Sequence, residues 1–304
     1  MKRYLPYLAV IAAMVLWSFS PIMTKLALGV LRPLTLIVLR FSMAVLLMLC
    51  VGLLCGRLGM KRMALQKVEK KDIPLFLACG FVEPFMYYMF ETYGLRLSAS
   101  PSVSEVLLST SPIFAPLFAF VLLREKIKIS NIVGILISTG GVVLMVLAGN
   151  DSFEMGNPWG LPLLFCAVFS AVMYTIILRK IPTRYNGLSV VFWGELASLL
   201  FFYPCFCVVD LPKLMETGVP QDHLGSAVMA VVYLAVCASV IAFILFCYTI
   251  REIGVTRANA FNNIRPVFTA LFMLLLFDEH LPLLKWVGIA IVIVGLFICQ
   301  RKAD

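Results

Sequence analysis

The stretch PIFAPLFAFVLLREKIKISNIVGILISTGGVVLMV, residues 112–146, lies without a gap on PVFTALFMLLLFDEHLPLLKWVGIAIVIVGLFICQ, residues 266–300. The offset is 154, close to half the chain, and 11 of the 35 paired positions are identical. Pro112 meets Pro266, Phe114 meets Phe268, Phe118 meets Phe272, Glu125 meets Glu279, and Gly134 and Gly141 meet Gly288 and Gly295. Apolar helices match one another through composition alone; a proline, an acid and two glycines kept in register do not. An internal repeat in a membrane chain points to a transporter built about a pseudo-two-fold axis.

Composition makes this a membrane chain. Of 304 residues, 62% are hydrophobic and 13% charged, and the mean hydropathy is +1.00, far from the soluble range. Nine cysteines are scattered through apolar runs without metal-ligand spacing, and His223 and His280 fall in polar loops. They read as small buried hydrophobes and loop residues, so neither a metal nor a cofactor is expected. The net charge of +9 does not indicate nucleic acid, because its positive residues sit in short turns between apolar stretches. MKRYLPYLAVIAAMVLW at residues 1–17 begins like a signal peptide but continues as a full span, and reads as a retained first helix.

A helix needs ~20 apolar residues to cross the hydrocarbon core. Ten stretches qualify, at 5–29, 33–56, 73–96, 99–123, 130–149, 158–180, 187–209, 224–250, 255–277 and 282–300. With the N-terminus inside, 18 Lys and Arg fall in inner loops and termini against four outside: Arg32, Arg96, Lys213 and Lys285. Both termini are therefore expected in the cytoplasm. Five spans per half, an odd number, turn the second half upside down. REKIKIS after the fourth span is basic and inner, while DEHLPLL after the ninth is acidic and outer, as inversion demands. The expected fold is an all-α membrane protein of ten helices, as two inverted five-helix repeats (1–150 and 151–304) around a central cavity.

LWSFSPIMTKLAL in the first span, a proline-bearing fourth span ending in LLREK, and STGGVVLMV in the fifth resemble the EamA-type permeases of the drug/metabolite transporter superfamily. That resemblance covers nearly the whole chain. It departs at Asp278-Glu279-His280, where the first half has Arg124-Glu125-Lys126. The resemblance implies a ten-helix bundle in a bacterial inner membrane, moving small metabolites such as amino acids, often outward.

Ionisable residues inside spans cost ~2.5–3.5 kcal/mol each at the helix centre and call for a reason. Seven are present: Lys25, Arg40, Glu83, Glu91, Glu105, Glu195 and Arg265. Lys25 and Arg40 either snorkel to the outer headgroups or pair with Glu91 and Glu105 at similar depth. Arg265 lies too deep to snorkel, so it needs a carboxylate, from Glu83, Glu195 or the solute. Glu83, Tyr87 and Glu91 share a face, with Tyr88 beside them. Glu105, Ser109 and Pro112 in the fourth span map one for one onto Asn259, Asn263 and Pro266 in the ninth. Arg265, Glu83, Tyr87, Tyr88, Glu105, Ser109, Asn259 and Asn263 are the candidate solute contacts, with Asn262, Trp17, Trp193 and Tyr174 behind them. Glu83, Glu105 and Glu195 are candidate proton-coupling sites. Glu125 and Glu279 read instead as acids serving the start of the helix that follows each. Gly134, Gly141, Gly288 and Gly295 read as close-packing seams, and the resemblance would also allow them to form a surface between two copies.

No nucleotide-binding loop and no soluble domain point to ATP, so transport is expected to be passive or ion-coupled. The mixed lining suits a zwitterion or small polar anion. Flipping of a lipid-linked metabolite and export of hydrophobic or cationic drugs are the alternatives.

Overall fold

The computed structural model describes residues 4–60, 64–97, 107, 110–148, 157, 159–218, 223–277 and 282–300, and these are helical without any strand. Eight helices among them are long and apolar enough to cross a membrane. The expected ten differ at two places. Of the stretch at 99–123, the helix described is Ser111–Leu123. The stretch at 255–277 is not one helix but three pieces: Val255–Ala260, a 3₁₀ turn Phe261–Ile264, and Arg265–Phe277.

The first half contributes α1 (Leu5–Leu28), α2 (Pro33–Arg57), α3 (Ile73–Gly80), α4 (Tyr87–Leu97), α5 (Ser111–Leu123) and α6 (Ile129–Leu147). The second contributes α7 (Gly160–Lys180), α8 (Gly187–Val209), a short α9 (Leu211–Thr217), α10 (Leu224–Tyr233), α11 (Ala242–Ile253), α12 (Val255–Ala260), α13 (Arg265–Phe277) and α14 (Leu283–Gln300). Helix starts follow local chemistry. Pro33 opens α2 after an extended Arg32, where a missing N–H costs nothing. The Asn186 side chain accepts from the Ser189 amide at 2.7 Å to open α8.

Two π-helical segments interrupt the bundle. Phe81–Met86 joins α3 to α4, and Leu234–Ile241 joins α10 to α11. In the first, Glu83 is extended (φ −148°, ψ 124°) and Pro84 has no N–H to donate, so the helical ladder breaks there. Carried forward by 154, Phe81–Met86 becomes 235–240, inside the second segment. The repeat thus extends in structure to helices whose sequences no longer match.

The packing has the same symmetry. α1 lies against α10, α11 and α13; its counterpart α7 lies against α3, α4 and α5. α2 packs on α8 and the second π segment, and α8 on α2 and the first. The largest core cluster lies in this bundle, where Phe41 stacks on Phe202 with centroids 5.9 Å apart. At its edge α6 and α14 form the most extensive pair. They run antiparallel: Gly134 faces Gly295 and Cys299, while Gly141 faces Gly288 and Val292. A Cβ at any of these four glycines would strike the partner helix, so this seam is internal to the chain. Asn131 fastens its end by donating to the Cys299 carbonyl at 2.6 Å.

Candidate functional site

A cavity of about 560 Å³ lies between the halves, walled by α1, α4, α7, α11 and the broken 255–277 segment. The breaks are what give it polar walls. The extended backbone at Glu83 and the 3₁₀ turn before Arg265 put charged residues where a continuous helix would present a packed face. Glu83, Tyr87, Tyr88 and Glu91 line one side, Asn259, Asn262 and Arg265 another, and Trp17 and Arg40 close the space between.

The charges are held by neighbours of other kinds. The Arg265 guanidinium lies 5.8 Å from the Trp17 ring centroid, and Trp17 is fixed by donating Nε1–H to the Ala238 carbonyl at 2.9 Å. Tyr87 donates its hydroxyl to Glu91 Oε1 at 2.8 Å. Asn262 donates to Asn259 Oδ1 at 3.3 Å, and Asn259 to Thr175 Oγ1 at 3.2 Å. Among the described residues neither Arg265 nor Arg40 makes a salt bridge within 4 Å. The expected Arg265–Glu83 or Arg265–Glu195 pair is therefore not formed, although Glu83 and Glu91 lie within electrostatic reach of both arginines.

Of the residues singled out in the sequence, Arg265, Glu83, Tyr87, Tyr88, Asn259, Asn262 and Trp17 line this cavity, as does the weaker candidate Tyr174. Asn263 does not: it is fully buried and donates to Ser138 Oγ at 2.7 Å and Thr139 Oγ1 at 3.0 Å, against α6. Trp193 does not either, for its Nε1–H is committed to the Gln66 carbonyl at 2.9 Å. Glu195 is buried behind the cavity wall, with neither carboxylate oxygen hydrogen-bonded among the described residues. Glu105 and Ser109 lie outside the described residues. Arg40, one choice for which was snorkelling, is 5% exposed and lines the cavity. A tyrosine one turn from an acid within the span is visible in the sequence; for Arg40, near a helix start, the sequence left snorkelling and pairing equally open.

Glu125 corrects a second expectation. It serves not the helix that follows it but α12 in the other half: its carboxylate lies against the start of that helix, within the pull of the Thr256 and Val255 amides. Gly254 makes the approach possible: it sits at φ 86°, and a side chain there would strike the Glu125 carboxylate. Burial pushes the Glu125 carboxyl above its ordinary range, against the pull of those amides and of Arg179 and Arg257. Its repeat partner Glu279 lies outside the described residues.

One end of the bundle is closed by a strap. Gln66, between α2 and α3, commits every polar group it has to the turn between α7 and α8 and the start of α8. Its amide donates to Ser189 Oγ (2.9 Å), its carbonyl accepts from Trp193, its side chain donates to the Arg184 carbonyl (2.9 Å), and its Oε1 accepts from the Asn186 amide (2.6 Å). Beside it, Asp72 accepts from Tyr185 at 2.7 Å and pairs with Arg184. Arg40 lies near the start of α2, the end away from this strap.

Comparison with known proteins places these features. A model of the EamA-like transporter family matches twice, over residues 5–147 and 158–300. An uncharacterised transporter of Bacillus subtilis, YetK, is 28% identical over 99% of this chain and 88% of its own length. A probable terminal-alkyne amino-acid exporter of Streptantibioticus cattleyicolor is 24% identical over 81% of this chain and 78% of its own. A solved crystal structure shares the fold with a TM-score of 0.80 at 20% identity, covering 97% of this chain and 96% of that one.

Proposed function

The chain belongs to the EamA-like transporter family and is a multi-pass membrane transporter; on that premise we propose that it exports amino acids or related carboxylate-bearing metabolites by alternating access. The observation that carries this reading is Arg265: a guanidinium on the wall of a central cavity, over an aromatic ring and in salt-bridge contact with no described carboxylate. A half-buried arginine so placed favours an anionic group brought by the solute. Glu83 and Glu91 across the cavity offer acceptors for an ammonium. The amino-acid exporter among the relatives agrees with a zwitterionic solute.

In this reading the membrane is a bacterial inner membrane, both termini are cytoplasmic, and the two halves are inverted five-helix repeats. Antiparallel α6 and α14, which are repeat equivalents, support the inversion. The strap would then close the cytoplasmic side, leaving the cavity nearer the outer face. Glu83, which borders the same space, is the candidate for coupling solute movement to a proton.

The test is binding and uptake by purified protein, by thermal shift and in proteoliposomes, against amino acids, nucleosides, vitamins and cationic dyes. Amino acids should stabilise the protein, and Arg265→Ala should weaken their binding by at least about a hundredfold, the scale of ~3 kcal/mol for a lost charge-assisted contact. Glu83→Gln should flatten the pH dependence of uptake. Stabilisation by dyes alone, or retained affinity in Arg265→Ala, would overturn the assignment.

A further inference from the structure

Arg40 is a second cation on the cavity wall that the reading above does not use. It is 5% exposed and held on three sides: Nε donates to Ser239 Oγ at 2.7 Å, and Cζ lies 5.1 Å from the Phe41 ring and 5.0 Å from the Tyr88 ring. These contacts fix the guanidinium plane but leave Nη2 without a hydrogen-bond partner among the described residues. Glu195, Glu83 and Glu91 feel its charge, yet none is in ion-pair contact. Aromatic faces accept positive charge without using the planar N–H donors, so an oriented fork remains for a carboxylate or phosphate-like oxygen pair.

We propose that Arg40 is a second anion-binding subsite, and that the preferred solutes carry a second anionic group besides the carboxylate held by Arg265. The solute class is then acidic amino acids and related compounds with anionic groups at both ends. This rests on the amino-acid reading above. The repeat sharpens the assignment: carried forward by 154, Arg40 falls on Gly194, and carried back, Arg265 falls on Ser111. Neither cation has a symmetry mate, so the two mark different points of one solute rather than two copies of one site.

Wild-type protein would be titrated with aspartate, glutamate and 2-aminoadipate and with asparagine and glutamine, reading the acid-to-amide affinity ratio. The acids should bind at least about tenfold more tightly, with one chain length best. Arg40→Gln should bring the ratio close to one, and Arg40→Lys should keep it above one. If Arg40→Gln cannot be purified, Ser239→Ala, which unties Nε, should lower the ratio several-fold. A wild-type ratio near one overturns the second subsite and leaves the amino-acid reading standing. A ratio unmoved in Arg40→Gln, or in Ser239→Ala where that stands in, removes Arg40 from the site. Binding of neither acids nor amides defeats both proposals.

Discussion

Asn259 and Asn263 stand four residues apart, and a continuous α-helix would set them on one face. The chain puts them to different uses because Phe261–Ile264 winds as a 3₁₀ turn, in which residues three apart eclipse. Asn262 thereby comes over Asn259, and both border the cavity. Asn263 is turned away to bind Ser138 and Thr139. Sequence spacing could name these asparagines but not sort them, since the winding between them depends on Arg265 and Pro266 restarting the helix. Two outcomes separate the roles. Asn263→Ala should cost about 1–3 kcal/mol of stability, for two lost bonds to buried hydroxyls, while leaving solute affinity within twofold. Asn259→Ala should weaken solute binding. Calorimetric binding and thermal unfolding of both variants check this, and an Asn263 variant with normal stability and poor binding would reverse the assignment.

Between elements, the halves hold each other by polar groups aimed at backbone. Asp210, ending α8, accepts from the Thr35 amide at 2.9 Å in the first turn of α2, and the Glu125 carboxylate lies against the start of α12. The strap is the third such tie, and it was hidden from sequence reading for a physical reason. Residues 57–72 look like an ordinary basic connection, and their partners lie more than a hundred positions away, so no local pattern marks them. In an alternating-access cycle a tie made of hydrogen bonds and part-exposed Arg184 ion pairs at one end of the bundle is suited to breaking and remaking, because the net worth of each is modest. Gln66→Ala removes two of the four bonds, weakening closure by about 1–2 kcal/mol, or roughly five- to thirtyfold in the open-to-closed ratio. Thiol labelling of a cysteine introduced beside Ser189 should accelerate accordingly. Labelling as slow as in the parent would mean that the strap is static scaffolding.

For the whole molecule, scaffold and charge obey different rules. The π segments, the exchange of packing partners and the glycine seam all repeat at the same offset. The glycine seam was legible because backbone proximity demands glycine; the helix breaks were not, since the expected spans at 73–96, 224–250 and 255–277 run straight through them. The charges on the cavity wall do not repeat. Arg265 and Arg40 have no mates, and Glu83 and Glu91 fall opposite Cys237 and Leu245 at that offset. A single solute within a symmetric frame sees an asymmetric wall, and periodicity could not say which of the seven ionisable residues in the spans would face it. The symmetric part can be tested without any solute. Gly140 faces open space, whereas Gly134 and Gly141 meet the α14 backbone. Alanine in a helix is favoured over glycine by ~1 kcal/mol, so Gly140→Ala should leave stability unchanged or raise it slightly. At Gly134 or Gly141 the added methyl must force two backbones apart, an overpacking cost of about 1–3 kcal/mol that exceeds the propensity gain. Melting temperatures in one detergent should therefore fall for Gly134→Ala and Gly141→Ala but not for Gly140→Ala. Equal effects at all three positions would mean that α6 and α14 are not joined through these glycines.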